Sequence, residues 1–409
     1  MLSVDEAIQR ILQDLRPLPA EAIGLENGLG RILARDLHAS INLPPFANSS
    51  MDGYALRVAD LKGASPENPV QLAVVMDIPA GRSPERPVGP GEAARIMTGA
   101  PLPGGADAVV PVEQTDANWN RESPATLAPT LRVMTTLQPG DYIRPVGENV
   151  RAGQQVLEAG TRLRPQHLGM LAALGQAQVS VYRQPRVTIV SSGDEIIDVG
   201  ETLAPGQIYD VNSYTIEGLV RELGGIPLRQ PVAGDDLKQV RAMFDTALGQ
   251  DPDLIISTAG VSVGAHDLVR DVLEELGQLN FWRVNMRPGK PLAWGRVQGL
   301  PFFGLPGNPV SAMVTFQVFV RPALQRLTGH RHDFQAARAT LCEDVESDGR
   351  RSFLRVTLER SGGRLLARST GTQSSGALIS MVLADGLLIV PEGVTRVGAG
   401  TELEVLLLQ

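Results

Sequence analysis

Val187-Thr188-Ile189-Val190-Ser191-Ser192-Gly193-Asp194-Glu195 passes from an unbroken β-branched run straight into a polar loop rich in hydroxyls and glycine. A run without polar alternation is what a parallel strand buried on both faces requires, and a loop at its carboxyl end is where α/β proteins place ligands. The pattern repeats outward from this segment. Leu254-Ile255-Ile256-Ser257 runs into Gly260-Val261-Ser262-Val263-Gly264, and Phe302-Phe303-Gly304-Leu305 runs into Pro306-Gly307-Asn308-Pro309 and on to Ser311. Between them, Ile216, Leu219, Val220 and Leu223 precede Gly224-Gly225, and Leu237, Val240, Phe244 and Leu248 follow Asp235; both sets have helical spacing with ordinary start or stop signals. With a helix around Leu268 to Leu276, the segment Phe281-Trp282-Arg283-Val284 and a helix after Pro309, the series predicts a three-layer α/β domain over 181–329.

The flanks read differently. Ser3 and Glu6 form a capping box ahead of Val4, Ala7, Ile8, Ile11, Leu12 and Leu15, and Pro17 ends that helix. Residues 46–137 carry short apolar runs broken by Pro and Gly, which predicts an inserted β-rich domain. Segments 1–45 and 138–180, the second holding a helix with Leu168, Leu171, Ala172 and Leu174, are expected to pair as a discontinuous N-terminal and linker domain. After His330 the strand-like runs 353–358, 387–390 and 402–406 predict a C-terminal β-barrel over 330–409.

Composition narrows the function classes. At about 150 residues per domain, 409 residues make roughly 2 to 4 domains. A net charge of -8 argues against a general nucleic-acid binder, which needs a positive surface for counterion release. A lone Cys342 excludes a disulfide framework and Cys-based metal centres. Neither a basic, apolar leader nor an uncharged run of spanning length is present, so the expectation is a cytoplasmic protein without a membrane partner.

Three Gly-bearing loops at strand ends offer the free N–H groups and hydroxyls that phosphate or nucleotide pockets use, although each alone is equally an ordinary strand-to-helix turn. Arg287-Pro288-Gly289-Lys290-Pro291 sets two cations three residues apart between prolines, suited to an oxyanion, and Lys290 is one of only three lysines, with Lys62 and Lys238. Carboxylates gather at the loop edges: Asp194, Glu195, Asp210, Asp235, Asp236 and Asp267. Asp235 or Asp236 is an ordinary N-cap on sequence grounds, and hard oxygen ligands beside phosphates would equally hold Mg²⁺. The five histidines, His38, His167, His266, His330 and His332, form no ligand pattern. Ser49–Ala55 and Met97–Asp107 are Gly/Pro loops that composition alone leaves open between turn and binding loop.

The ordered set 49–55, 97–107, 191–195, 257–267, 287–291 and 304–311 resembles the signature segments of the molybdopterin molybdenumtransferase family, to which the C-terminal region of gephyrin is related. The resemblance covers nearly the whole chain. It implies an elongated homodimer whose α/β domain is similar to molybdopterin adenylyltransferase, and a Mg²⁺-dependent reaction in which adenylylated molybdopterin and molybdate give molybdenum cofactor and AMP. Carried over, Ser192, Gly193, Asp210, Asn212, Gly260, Ser262, Gly264, Pro306, Gly307 and Asn308 would bind the pterin nucleotide, with Asp52 and Thr98 approaching from a partner subunit. Arg287, Lys290, Pro291, Ser311, Arg355 and Ser375 would bind molybdate. Asp267, Asp236, Glu195 and Lys290 would be the catalytic set, and Glu195 with Asp236 would contact Mg²⁺. Transient contacts with molybdopterin adenylyltransferase and with molybdoenzyme chaperones also follow.

The sequence departs from the family's pattern at Asn149, at Arg287 where a lysine is usual, at Ala259 and at Arg270. These departures keep open a tungstate-preferring paralogue. A non-catalytic dimeric scaffold and a nucleotide-processing enzyme sharing only the α/β domain are the other readings.

Overall fold

The computed structural model describes residues 1–117, 119, 127–258, 268–330 and 336–408, and the chain divides into two compact units. One comprises 1–35, 160–164 and 178–409; the other comprises 36–159 and 165–177.

In the first unit Arg186–Val190 lies second in a six-stranded sheet ordered Ile226–Arg229, Arg186–Val190, Leu254–Ser257, Leu300–Gly304, Pro291–Val297, Gly277–Arg283. The first four run parallel. Successive residues feed opposite faces, as the period-2 geometry of a strand demands. Ile189, Ile256 and Phe303 pack with Ile216 and Val220 of the Val211–Glu222 helix and with Phe316, whereas Val190, Ile255 and Phe302 pack with Phe244 of Leu237–Gly249 and with Val269 and Leu273 of Leu268–Leu276. Helices cover both faces, which makes the three-layer α/β domain.

The segment 281–284 departs from the expected alternation. It closes Gly277–Arg283, which runs antiparallel to Pro291–Val297, itself antiparallel to Leu300–Gly304. Gln298 and Gly299 both have positive φ, 47° and 84°, and this two-residue turn matches the twist of a hairpin, so no crossover helix intervenes.

The N-terminal capping box forms as read, with Glu6 N–H donating to Ser3 Oγ (3.2 Å) and Ser3 N–H to Glu6 Oε2 (3.1 Å). Its buried face, Val4, Ala7, Ile11 and Leu15, joins the cluster containing Phe316, Phe319 and Leu324, on the helical run from Pro309 to Leu327 whose middle, Phe316–Val320, is a π turn. The expected pairing of this helix with the 165–173 helix is therefore replaced by packing inside the α/β unit. Ala20–Gly24 pairs antiparallel with Gln178–Tyr182 in the same unit.

The C-terminal strands close into a barrel. Arg351–Ser361, Arg364–Ser369, Ala336–Leu341, Glu402–Leu407 and Gly386–Val390 follow one another, and the last pairs back with the first around Val356, Ala367, Leu388, Val390 and Val405. The barrel sits in the same compact unit as the α/β sheet and is joined to it through Met286–Arg287, a two-residue strand parallel to Arg351-Ser352.

The second unit holds a five-stranded mixed sheet ordered Ala108–Pro111, Gly53–Leu56, Glu92–Ile96, Val70–Ile78, Thr130–Val133. Tyr54, Leu56, Ala93 and Val110 belong to one core cluster and Ala55, Ala94, Ile96 and Val109 to another, so both faces are covered, as β-rich patterning requires. Among the described residues no helix is long and apolar enough to cross a membrane.

Candidate functional site

The first loop is built at the end of Arg186–Val190. Ser191 is buried and its Oγ lies 2.8 Å from Thr258 Oγ1 at the end of the neighbouring strand. Gly193 N–H donates to Ala233 O (3.0 Å), and at φ +142° a Cβ on Gly193 would meet Glu195 Oε2 at 2.7 Å, so glycine keeps the Glu195 carboxylate folded over the loop. Ser192 is half-buried in the same loop. Asp194 and Asp235 bracket it reciprocally: Asp235 N–H donates to Asp194 Oδ1 (2.9 Å) and Asp194 N–H to Asp235 Oδ2 (3.4 Å). Asp236 is the N-cap of Leu237–Gly249, its Oδ1 accepting from the N–H groups of Lys238 and Gln239 (3.0 and 3.1 Å). The cap role is thus realised at Asp236, and its second oxygen is left over.

Next to this loop stands the start of Val211–Glu222. Asp210, 3% exposed, caps it by accepting from Ser213 N–H at 3.0 Å. Asn212 Nδ2 donates to Gly307 O at 2.7 Å, tying this helix start to the Pro306-Gly307-Asn308 loop. Asp210 Oδ2, Asn212 Oδ1 and Ser213 Oγ are all buried without a hydrogen-bond partner among the described residues. Three such oxygens at one helix start are a concentration of unmet acceptor capacity that native interiors normally avoid. Ser213 was not apparent in the sequence, where its spacing marks it only as a helix residue.

The Pro306-Gly307-Asn308 loop also touches the barrel. Asn308 Nδ2 donates to Ser375 Oγ (3.3 Å) and Val310 N–H to Ser375 O (3.2 Å), which seats a barrel loop on the start of the Pro309–Thr315 helix. Ser311, one turn along, is buried. Thr315 follows, with its Oγ1 buried and unpartnered, lying where a Cβ on Gly289 (φ +97°) would meet it at 2.4 Å. Only glycine allows the cationic loop to approach that helix so closely.

The cations gather where sheet and barrel join. Arg287 and Lys290 are exposed at the ends of the turn, with Pro291 half-buried behind them, and Lys290 O accepts from Val284 N–H at 2.8 Å. Arg355, in the barrel strand beside Met286–Arg287, is 1% exposed. Among the described residues its guanidinium meets only neutral acceptors: Ser380 Oγ at 3.2 Å, Ser374 O at 3.3 Å and Phe353 O at 3.4 Å. Burial, and secondarily the like charge of Arg287, pull its pKa down to about 10, so it remains protonated at neutral pH while paying the desolvation of a buried cation. A buried charge held by carbonyls and a hydroxyl alone is electrostatically prepared for an anion.

Two barrel residues join this group that the sequence did not single out. Asp348 Oδ2 lies 3.7 Å from Arg287 Nη1 and accepts from Arg350 Nε at 3.0 Å, and Arg350 Nη1 is anchored on Met286 O at 3.2 Å. The Arg350 guanidinium holds the Asp348 carboxyl below the usual carboxylate range, with Arg287 contributing less.

Gly260, Ser262, Gly264 and Asp267, with Ala259, His266 and His332, lie outside the described residues. Among the described residues no three His, Cys, Asp or Glu side chains converge to hold a metal ion. Asp52 and Thr98 belong to the second unit, where Asp52 Oδ1 accepts from both the N–H and the Oγ1 of Thr98 (2.7 Å each); these two exposed residues form one structured corner.

Comparison with known proteins converges from three sides. Residues 2–175 match the MoeA N-terminal region (domain I and II), 188–326 a probable molybdopterin binding domain, and 338–408 the MoeA C-terminal region (domain IV). The chain is 40% identical over 413 residues to molybdopterin molybdenumtransferase 2 of Mycobacterium tuberculosis, covering 99% of each. It is 35% identical over 412 residues to the molybdopterin molybdenumtransferase of Bacillus subtilis, covering 100% of this chain and 94% of that one. A solved molybdopterin biosynthesis MoeA protein from Pyrococcus horikoshii superposes with a TM-score of 0.84 at 29% identity, covering 100% of both chains.

Proposed function

The chain belongs to the molybdopterin molybdenumtransferase family and is a transferase of molybdenum cofactor biosynthesis, and from that premise we propose how its residues divide the reaction. The substrates are adenylylated molybdopterin and molybdate, and the products are molybdenum cofactor and AMP. In net terms two Mo–S bonds replace two Mo–O bonds and the P–O–P linkage opens. One released oxygen is accounted for on the separated phosphates, and the other leaves as water with the two thiol protons.

The observation that carries this reading is Arg355: a buried guanidinium with no carboxylate partner among the described residues, near enough to Arg287 to feel its charge, and bonded to Ser374 O next to the Ser375 that meets Asn308. Molybdate is a compact dianion, and fixed cations with hydroxyl donors are the means of holding it without protein thiols. The unmatched oxygens of Asp210, Asn212 and Ser213 are acceptors suited to the amino and ring N–H donors of a pterin. Ser192, Gly193, Gly307 and Asn308 supply the adjoining loop edges for the phosphates, and Gly260, Ser262 and Gly264 are proposed as further pterin-nucleotide ligands, with Asp267 in the catalytic set. Positioning and charge neutralisation do the work, with no covalent protein nucleophile.

The donor chemistry fits Mg²⁺: the Glu195 carboxylate and the spare oxygen of Asp236 are hard ligands, and this ion needs only one or two carboxylates beside phosphate oxygens and water. When bound it supplies charge neutralisation at the phosphate linkage. Asp52 and Thr98 are proposed to serve the site of a second copy in a homodimer. The division into 1–45 with 138–180, 46–137, 181–329 and 330–409 is likewise proposed, its first member drawing residues from both compact units, as are a cytoplasmic location and transient contacts with molybdopterin adenylyltransferase and molybdoenzyme chaperones.

The test is AMP release from adenylylated molybdopterin, measured anaerobically with Mg²⁺, with and without molybdate or tungstate. Release that requires molybdate supports the proposal, and preference for tungstate moves the metal. Binding without release makes the protein a scaffold, and release indifferent to either anion makes it a hydrolase.

A further inference from the structure

The oxyanion site contains an anion of its own. Asp348 stands on the exposed turn leading into the barrel strand that carries Arg355, and its carboxylate is shared between two guanidinium groups on unequal terms. Arg350 grips it closely: both Nε and Nη2 donate to Oδ2, and the Arg350 N–H donates to Oδ1 at 3.2 Å. Arg287, at 3.7 Å, is within ion-pair range but beyond a hydrogen bond, and about half of its side chain remains exposed. Arg350 is itself anchored on Met286 O, the residue before Arg287, so the carboxylate cannot drift from the cationic turn.

We propose that Asp348 is an affinity-setting residue of the oxyanion site: a built-in competitor that holds Arg287 weakly and so sets how tightly an incoming oxyanion is held there. This rests on the reading of Arg287, Lys290 and Arg355 as the oxyanion site. With Asp348 in place, one negative charge lies beside the cations before any ligand arrives. An incoming anion must outbid it for Arg287, and it does so while Asp348 keeps its full set of bonds to Arg350. The contact therefore yields without leaving a carboxylate unpaired. Removing the charge leaves Arg287 unengaged and raises the local positive potential, which tightens every small oxyanion, the unwanted ones included.

The experiment is equilibrium binding of inorganic molybdate, and of sulfate as the competitor, to the full chain and its Asp348→Asn, Asp348→Glu and Arg287→Ala variants. Asparagine keeps Oδ1 as acceptor for the Arg350 backbone N–H but replaces the Oδ2 that accepts from the Arg350 guanidinium, so the charge and that pair are removed together. We expect Asp348→Asn to bind both anions about three- to tenfold more tightly, from the loss of one negative charge several ångströms away at an effective dielectric near the surface, and Asp348→Glu to restore weaker binding. Molybdate binding unchanged in Asp348→Asn, with Arg287→Ala still weakening it, overturns the role of Asp348 and leaves the site standing. If Arg287→Ala also binds molybdate normally, the oxyanion site itself is misassigned and the inference falls with it. Asp348→Ser serves in the same way should the asparagine variant misfold, and thermal unfolding of each variant checks this.

Discussion

Residue by residue, the site is a balance of unpaired charge. Among the described residues Lys290 is held only through its backbone carbonyl and its side chain is exposed, while Arg355 is buried in the barrel. Lys290→Ala should therefore raise the molybdate KM about tenfold or more with little change in stability and with pterin-nucleotide affinity retained, as isothermal titration with each substrate would show. Equal loss of both affinities would contradict the division of roles. The pair at 287 and 290 was legible in the sequence because proline at either side fixes two cations locally. Asp348 and Arg350 were not, because Met286 and Arg287, which tie them to the site, lie far off in the chain and meet them only when Met286–Arg287 joins the barrel. Ser213 and Thr315 were also silent: buried hydroxyls inside helical spacing carry no signal until their missing partners are seen.

At the level of the element, three of the four parallel strands were legible because burial on both faces suppresses alternation, and the loops followed from them, whereas the edge strand Ile226–Arg229, only half-buried and carrying Pro227, gave no such run. The antiparallel half of the sheet was not. Its turn relies on Gln298 in the left-handed region, which glutamine rarely announces. The turn from Arg287 to Pro291 owes its place to Gly289, whose missing Cβ makes room for Thr315 Oγ1. Gly289→Ala at φ +97° should cost roughly 1–2 kcal/mol in unfolding free energy and displace the turn from the 309–315 helix. The molybdate KM should rise with it. A variant equally stable and equally active would mean that the turn is not held by this approach.

Across the whole molecule, the chain's beginning is stitched to its end. Leu2 N–H donates to Arg283 O (3.0 Å), and Asp5 forms a two-pronged pair with Arg351 at the foot of the barrel strand (2.7 Å each). Arg351 holds the Asp5 carboxyl below its ordinary value. The stability it contributes is thus fully present above the ordinary carboxylate range and is lost as pH falls through the lowered value. Because Asp5 is largely exposed, Asp5→Asn should cost under about 1 kcal/mol at neutral pH. That difference from the parent should vanish in acid, once the pH falls below the lowered value, in denaturant titrations run at several pH values. A difference that persists there would place its origin elsewhere than in the ion pair.

The proposed oxyanion site draws on the barrel through Arg355. Replacing a buried cation that has no carboxylate partner by an apolar side chain of similar length is often neutral or stabilising when the charge serves only the fold. The measurement is the molybdate dependence of AMP release by Arg355→Met beside the parent, with thermal unfolding of both. A variant at least as stable as the parent, with a molybdate KM raised by about tenfold or more, is the predicted result; an unchanged molybdate dependence would contradict the assignment of the oxyanion to the junction of sheet and barrel.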